Sequence, residues 1–293
     1  MTGKSGQPMK MLIVADGRSA ITRRWIEMLQ PLGHEITLAS TFPCAQVEGV
    51  RETCIIPVAF SQFGGSQAGN ASPRKQKGFV SRFRGLAAAL RHQLGPWTIS
   101  SATPAFLDLI ARIQPDVVHA LRIPYEGMLA SATPAGIPLV VSTWGNDLTL
   151  HAPATRKMGE LTRKVLRRAD GLLSDAQRDR ELAVEWGFDR QKPALVVPGN
   201  GGIDLQEILS TAAGIEKQAQ PQVINPRGLR SYVRNDTFFK AIPQVLQHYP
   251  QVQFICTSMA GQPEALKWVE RLGLGGNVSL LPLLSQHDLW RQF

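Results

Sequence analysis

Short apolar runs recur along the whole chain, each followed by a segment whose apolar residues return every three or four positions. The runs MLIVAD (11–16), EITLAS (35–40), CIIPVAF (54–60), DVVHAL (116–121), PLVVSTW (138–144), GLLSD (171–175) and ALVVPG (194–199) predict seven strands. They read as continuous rather than alternating, as expected of strands covered on both faces by crossover helices. The fold class predicted is therefore α/β, a doubly wound parallel sheet. A second series, QVINP (222–226), VQFICTS (252–258) and NVSLLP (277–282), is separated by the helical patterns DTFFKAIPQVLQHY and PEALKWVERLG.

These patterns divide the chain into a disordered leader over 1–8, a first Rossmann-like domain over 9–204, a linker over 205–221 and a partial second domain over 222–293. Three strands leave a parallel sheet with an unpaired edge and little cover, so the chain is expected to stop within that domain. The basic stretch 156–170, RKMGELTRKVLRRAD, is expected to form a helix with one solvated face.

No apolar run reaches the roughly 18 residues that span a bilayer, and the first ten residues lack a secretory core. A cytoplasmic protein is expected. Cys44, Cys54 and Cys256 are widely spaced, which suggests neither a metal cluster nor a disulfide framework. The 32 Lys and Arg against 23 Asp and Glu leave a net charge of +9, which favours an anionic partner. Nucleic acid is not expected, because the cations are scattered and no recognition motif accompanies them. The stretch 72–94, SPRKQKGFVSRFRGLAAALRHQL, mixes cations with Phe79, Val80, Phe83 and Leu86. It is a candidate for peripheral contact with the anionic inner face of a membrane.

In open parallel sheets ligands bind beyond the carboxyl ends of the strands. There the first strand is followed by Asp16, Gly17, Arg18 and Ser19, without a dinucleotide-binding glycine pattern, either a ligand loop or a plain helix cap. His119 lies inside the fourth run, as a catalyst or as a packed core residue; Glu126 follows it near a helix start, as an acid or as a partner for the helix dipole. In the loop after the fifth run, Gly145 allows close backbone approach, while Asn146 and Asp147 suit sugar hydroxyls or cap a turn, beside Trp144 and His151. Arg227, Arg230 and Arg234 crowd the start of a helix after QVINP, which makes a diphosphate cradle or a solvated basic loop.

The order of DGRSAITRRW, QPDVVHA, PLVVSTWGNDL, RRADGLLSDAQRDRELAVEWGF, LVVPGNGGIDL and GLRSYVRNDTFFKAIPQVL resembles the glycosyltransferases of family 4. The resemblance implies a GT-B fold of two facing Rossmann-like domains, with reaction in the cleft between them. It implies transfer of a sugar, with retention, from a nucleotide-diphosphate co-substrate to a glycan or lipid-linked acceptor, with no metal or other cofactor.

By the same resemblance Arg230, or Arg227, takes the role of the family's diphosphate arginine, and Arg234 stands where a lysine is expected. Trp144 occupies a position where many relatives place a histidine. Asp147 and His119 become the catalytic candidates, and Asp16, Gly17, Arg18, Glu126, Trp144, Gly145 and Asn146 the acceptor-side loops. The family's paired glutamates fall beyond Phe293, so the chain alone is expected to bind donor poorly and turn over slowly. The readings held beside this one are a sugar-nucleotide epimerase on the same fold and a non-catalytic carbohydrate or nucleotide-diphosphate binding module.

Overall fold

The apolar runs do form strands, and all of them pair in parallel. In the computed structural model the described residues are 7–61, 91–197, 205–215, 220–230 and 233–293, and they fall into two compact units, the chain passing from the first to the second between 197 and 205. The expected leader over 1–8 lies outside the described residues up to residue 6.

The first unit holds a seven-stranded sheet: β1 (Lys10–Ala15), β2 (Glu35–Ser40), β3 (Glu52–Ile55), β4 (Val117–Ala120), β5 (Leu139–Thr143), β6 (Gly171–Ser174) and β7 (Ala194–Val196). Their order is β3-β2-β1-β4-β5-β6-β7. The chain steps outward from β1 to β3, returns to lay β4 beside β1, and steps outward again to β7. The direction of winding therefore reverses between β1 and β4, the position where such sheets open a crevice for ligands.

Both faces of β1 are buried, which is why its sequence is apolar throughout. Leu12 and Val14 face a core shared with Val118, Ala120 and Val141 and closed by Phe106 and Ile110 of α2 (Trp97–Ile113) and by Val165 and Leu166 of α3 (Arg156–Arg168). Ile13 and Ala15 face the opposite core with Ile36, Leu38 and Ile26 of α1 (Ala20–Leu29). Each of these fully buried side chains contributes roughly 1.5–3 kcal/mol by leaving water.

Helix α3 has the solvated face expected of it. Met158, Thr162, Val165 and Leu166 point inward while Arg163, Lys164 and Arg167 are exposed, and the Thr155 hydroxyl caps the first turn by accepting from Met158 N at 3.1 Å. Helix α4 (Gln177–Glu185) follows β6.

The third strand is shorter than its apolar run. Pro57 has no N–H to continue the ladder. Beyond it Ala59 and Phe60 take left-handed backbone at φ 50° and 59°, turning the chain away from the sheet toward Thr98, whose hydroxyl accepts from Ala59 N.

The second unit contains β8 (Gln222–Asn225), β9 (Gln253–Cys256) and β10 (Val278–Leu280), in the order β10-β9-β8. Helices α6 (Asn235–His248) and α7 (Pro263–Arg271) cover them, and Phe239 stacks on Trp268 with centroids 6.2 Å apart over Phe254 and Cys256. The expected linker over 205–221 is not linker throughout. Its first part is α5 (Leu205–Ala212), which belongs to the second unit and packs against α8 (Gln286–Trp290). Leu205, Ile208 and Leu209 form an apolar stripe along this helix, of which Leu205 and Leu209 remain exposed.

Cys44, Cys54 and Cys256 are free thiols. Among the described residues no helix is long and apolar enough to cross a membrane, and no group of three or more His, Cys, Asp or Glu is placed to hold a metal ion. The basic stretch 72–94 lies outside the described residues except for 91–94.

Candidate functional site

The loops at the carboxyl ends of β1, β2, β4 and β5 carry the polar residues of the first unit. After β1, Gly17 N donates to Ser40 Oγ at 3.0 Å. A Cβ on Gly17 would sit 2.6 Å from Cys44 Sγ, so only glycine lets this turn lie against β2. Asp16 then takes Arg18 in a two-pronged bridge, Nε to Oδ1 and Nη2 to Oδ2, each at 3.0 Å. The Arg18 guanidinium lies 3.8 Å above the centre of the Phe42 ring.

After β4 the chain makes a turn over Ile123–Gly127 in which Tyr125 adopts φ 66° and ψ −51°. An aromatic residue rarely enters this left-handed region, and holding it there costs on the order of 1–3 kcal/mol. The surroundings fix it. Tyr125 is buried, its hydroxyl donates to Arg91 O at 2.9 Å, and its ring packs on Gly95, where a Cβ would stand 2.9 Å from the ring. The next residue, Glu126, is only 7% exposed and accepts from the Thr41 hydroxyl at 3.0 Å. Burial raises its pKa above the usual glutamate range, against the pull of Arg122.

The β5 loop is tied to the β4 loop by Asp147, which is 0% exposed. Its Oδ1 accepts from Arg122 Nε at 2.8 Å, and its Oδ2 accepts from the backbone N–H of Ile123 and of Trp144, each at 3.2 Å. Burial pushes this carboxyl upward while Arg122 and the two amides pull it down. Both oxygens receive N–H donors and neither faces an acceptor, so the group is an ionised carboxylate.

Arg122 also reaches His151 Nε2 at 2.9 Å, and His151 Nδ1 meets His92 Nε2 at 3.0 Å. An arginine can only donate. His151 therefore accepts at Nε2, carries its proton on Nδ1 and donates it to His92, leaving both rings neutral. Burial, then Arg122, holds His151 down at about 3, and burial and Arg91 lower His92. The Arg122 guanidinium lies 5.2 Å from the Trp144 ring centre, and the indole N–H of Trp144 is buried without a partner.

The two catalytic expectations therefore change character. Asp147 is consumed in holding two loops together, so its geometry is that of a positioning residue. His119 lies within β4, 5% exposed, with Nε2 2.9 Å from Ser142 Oγ and its ring edge-on to Trp25 at 5.3 Å. Burial lowers its pKa to about 4. It is a packed core histidine, because a strand interior covered by α1 gives no route for substrate. Nothing crowds Gly145, which is exposed; its carbonyl accepts from Arg178 Nη2 at 3.1 Å.

In the second unit, a loop runs from the end of β8 to the start of α6. Buried Asn235 organises it by donating from Nδ2 to Gly228 O at 3.2 Å and Val233 O at 3.4 Å, and by accepting from Asn225 Nδ2 at 3.3 Å. Gly228 takes φ 64° and packs where a Cβ would meet Ser258 at 3.0 Å. The loop presents exposed Arg227 and Arg230 at the carboxyl end of β8. Arg234, also exposed, bridges Asp236 at 3.2 Å in the first turn of α6, which lowers the Asp236 pKa. All three arginines thus lie on the segment that leads into one helix N-terminus, where unpaired N–H groups favour anions.

A family model described as the glycosyl transferase 4-like domain matches residues 16–199, which contain every first-unit loop described above. The chain belongs to the glycosyl transferase 4-like family. Its fold is GT-B, with two Rossmann-like parallel-sheet domains. Among solved structures it is similar to Anabaena HepE in complex with UDP, with a TM-score of 0.56 at 14% identity over 97% of this chain and 71% of that one. It is also similar to a UDP-glucosyltransferase from Polygonum tinctorium (TM-score 0.53, 12% identity, 96% and 72% covered). A UDP-N-acetylglucosamine 2-epimerase from Rickettsia bellii aligns comparably (0.54, 11%, 98% and 72%). No curated protein matched the chain.

For this glycosyl transferase 4-like chain, the sequence placed Asp16, Gly17, Arg18, Glu126, Trp144, Gly145 and Asn146 at the carboxyl edge of the sheet, and they are there. It did not identify Arg91, His92 or Arg122. Arg122 follows a strand directly and could have been read from that position; the others come from segments whose pairing is set only by the fold.

Proposed function

We propose that this chain transfers a glycosyl group from a nucleotide-diphosphate sugar to a hydroxyl of a glycan or lipid-linked acceptor, with retention and without an obligatory metal or other cofactor. The family match across residues 16–199 carries this reading. The UDP and UDP-glucose complexes of HepE support a nucleotide sugar as the co-substrate.

In this reading the loop after β8 takes the donor. Arg230 and Arg227, with the N–H groups opening α6, spread the charge that develops on the departing diphosphate, and Arg234 adds a second cation beside them. That is electrostatic catalysis, which lowers the barrier without a proton passing through these groups. Arginine in place of the expected lysine keeps the charge but offers a planar fork instead of a point. The loops after β1, β4 and β5 take the acceptor, through Arg18, Glu126, Trp144, Gly145 and Asn146. Asp147 keeps two of those loops at a fixed separation. The protein works in the cytoplasm, and the basic stretch 72–94 brings it to anionic lipid.

The test is product analysis. The protein is incubated with UDP-, ADP- and GDP-sugars, each with and without neutral glycans and lipid-linked sugars, in buffer containing a chelator. Mass spectrometry should find an acceptor heavier by one sugar, and NMR should show the donor's anomeric configuration kept. An altered nucleotide sugar formed without acceptor means an epimerase instead, and nucleotide binding with no product in any mixture means a binding module. Sedimentation with anionic vesicles at low salt tests the membrane contact.

A further inference from the structure

Among the described residues of the first unit, Arg91 stands beside the loops after β2 and β4 without an ion pair to a carboxylate. Arg91 lies in the helical residues 91–94, and its Cζ lies 4.7 Å from the centre of the Tyr125 ring and 5.4 Å from that of Phe42. Its Nε is buried and has no hydrogen-bond partner. Stacking against two rings fixes the plane of a guanidinium and leaves its in-plane N–H groups to a ligand.

The neighbouring charges are already matched. Asp16 takes Arg18, and Asp147 takes Arg122. The remaining carboxyl on these loops, Glu126, is bonded to Thr41, and its burial favours the neutral form. His92 and His151 are neutral by their mutual hydrogen bond. Among the described residues, Arg91 therefore stands beside these loops as a cation with no carboxylate bridged to it. Its mount is unusual as well: the Tyr125 ring beneath it is held in left-handed backbone, and the Tyr125 hydroxyl bonds to Arg91's own carbonyl. Strain kept beside the β1–β4 reversal is the kind that serves a site rather than a core.

We propose that Arg91 is the anchor for an anionic group on the acceptor, so that the sugar is passed to a molecule bearing a carboxylate or a phosphate rather than to a neutral glycan. The proposal rests on the acceptor-binding reading of this unit, and it adds a substrate class to it. Two oxygens of the anion pair with the edge of the stacked guanidinium, which fixes the position of an acidic sugar or of the first residue of a phosphorylated acceptor.

Equilibrium binding by the full chain tests this without a donor. Glucuronic acid and glucose 6-phosphate are compared with glucose by ligand-detected NMR, for the wild type and for Arg91→Gln and Arg91→Lys. Both acidic sugars, or one of them, should bind at least tenfold more tightly than glucose; which one does so separates a carboxylate from a phosphate. Arg91→Gln should bring that ratio to about one. Arg91→Lys, which keeps the charge and loses the fork, should keep part of it, and it reads the effect even where the glutamine variant fails to fold. Equal binding of acidic and neutral sugars by the wild type, no binding of either, or a ratio unchanged in both variants overturns the proposal. Binding of UDP, ADP and GDP is measured alongside. Absence of the anion preference in the wild type with nucleotide binding intact refutes this inference alone, whereas acid-sugar selectivity with no sugar transfer from any donor refutes the transferase reading alone.

Discussion

Acidification should unfold the first unit through His119. The ring is enclosed in β4 and burial holds its pKa at about 4, against 6.5 for an open histidine. Between those values the unfolded chain takes up a proton that the folded chain refuses, so protons favour unfolding. The contribution is fully present above pH 6.5 and is lost as the pH falls toward 4. A gap of roughly 2.5 units, at about 1.36 kcal/mol per unit, amounts to about 3 kcal/mol, most of it gone by pH 4.5. That is a large part of the 5–15 kcal/mol typical of a folded domain.

The assay compares the wild type with His119→Gln, whose amide can still meet Ser142 but cannot titrate. Urea unfolding and hydrogen exchange of the β4 amides are followed from pH 7 to pH 4.5. The raised carboxyls Glu126 and Asp147 act in the opposite sense, but they are common to both proteins and cancel in the difference. The wild type should lose about 2–3 kcal/mol more than the variant over this range. Parallel curves would show that the ring is solvated or already charged, and the description of β4 would be wrong.

Asp147→Ala leaves the Arg122 guanidinium without its carboxylate and two backbone amides without an acceptor, so thermal or urea unfolding should register a loss of about 3–5 kcal/mol; less than 1 kcal/mol would contradict the clamp. Asn235→Ala removes the bonds that shape the loop after β8, so it should cost about 1–3 kcal/mol and weaken UDP binding, read by unfolding and by titration calorimetry. Thr155→Ala removes the cap of α3 and should lower stability by about 1 kcal/mol, measured by urea unfolding at neutral pH.

The central strands of the large sheet could be read because each is a run of apolar residues with both faces covered, and that signal is local. What ends a strand is also local where a proline does it, yet Pro57 was read through, because the apolar letters continue past it to Phe60. The helix at 205–212 was legible in its stripe of Leu205, Ile208 and Leu209 but was obscured by the polar residues around it. The character of Asp147 was not legible. A strand-end aspartate looks the same in sequence whether it greets a sugar or closes on an arginine 25 residues earlier, and only the pairing of β4 with β5 brings that arginine to it. Arg91 is hidden for a similar reason: its significance comes from Phe42 and Tyr125, which sequence places 49 residues before it and 34 after.

The middle of the large sheet joins parts of the chain that are made far apart in time. Lys10 N, at the start of β1, bonds to Asp116, and Met11 aligns with Val117. At about 5–20 residues per second, a ribosome needs on the order of 5–20 s to supply the second partner once the first has emerged. Throughout that interval β1 can pair on one side only, with β2, and its other edge and the apolar side chains along it stay open to any extended strand nearby. The nascent protein is thus at its most adhesive before its central layer can close, and slower elongation beyond residue 55 lengthens the exposure while a chaperone that shields extended apolar chain shortens its consequences.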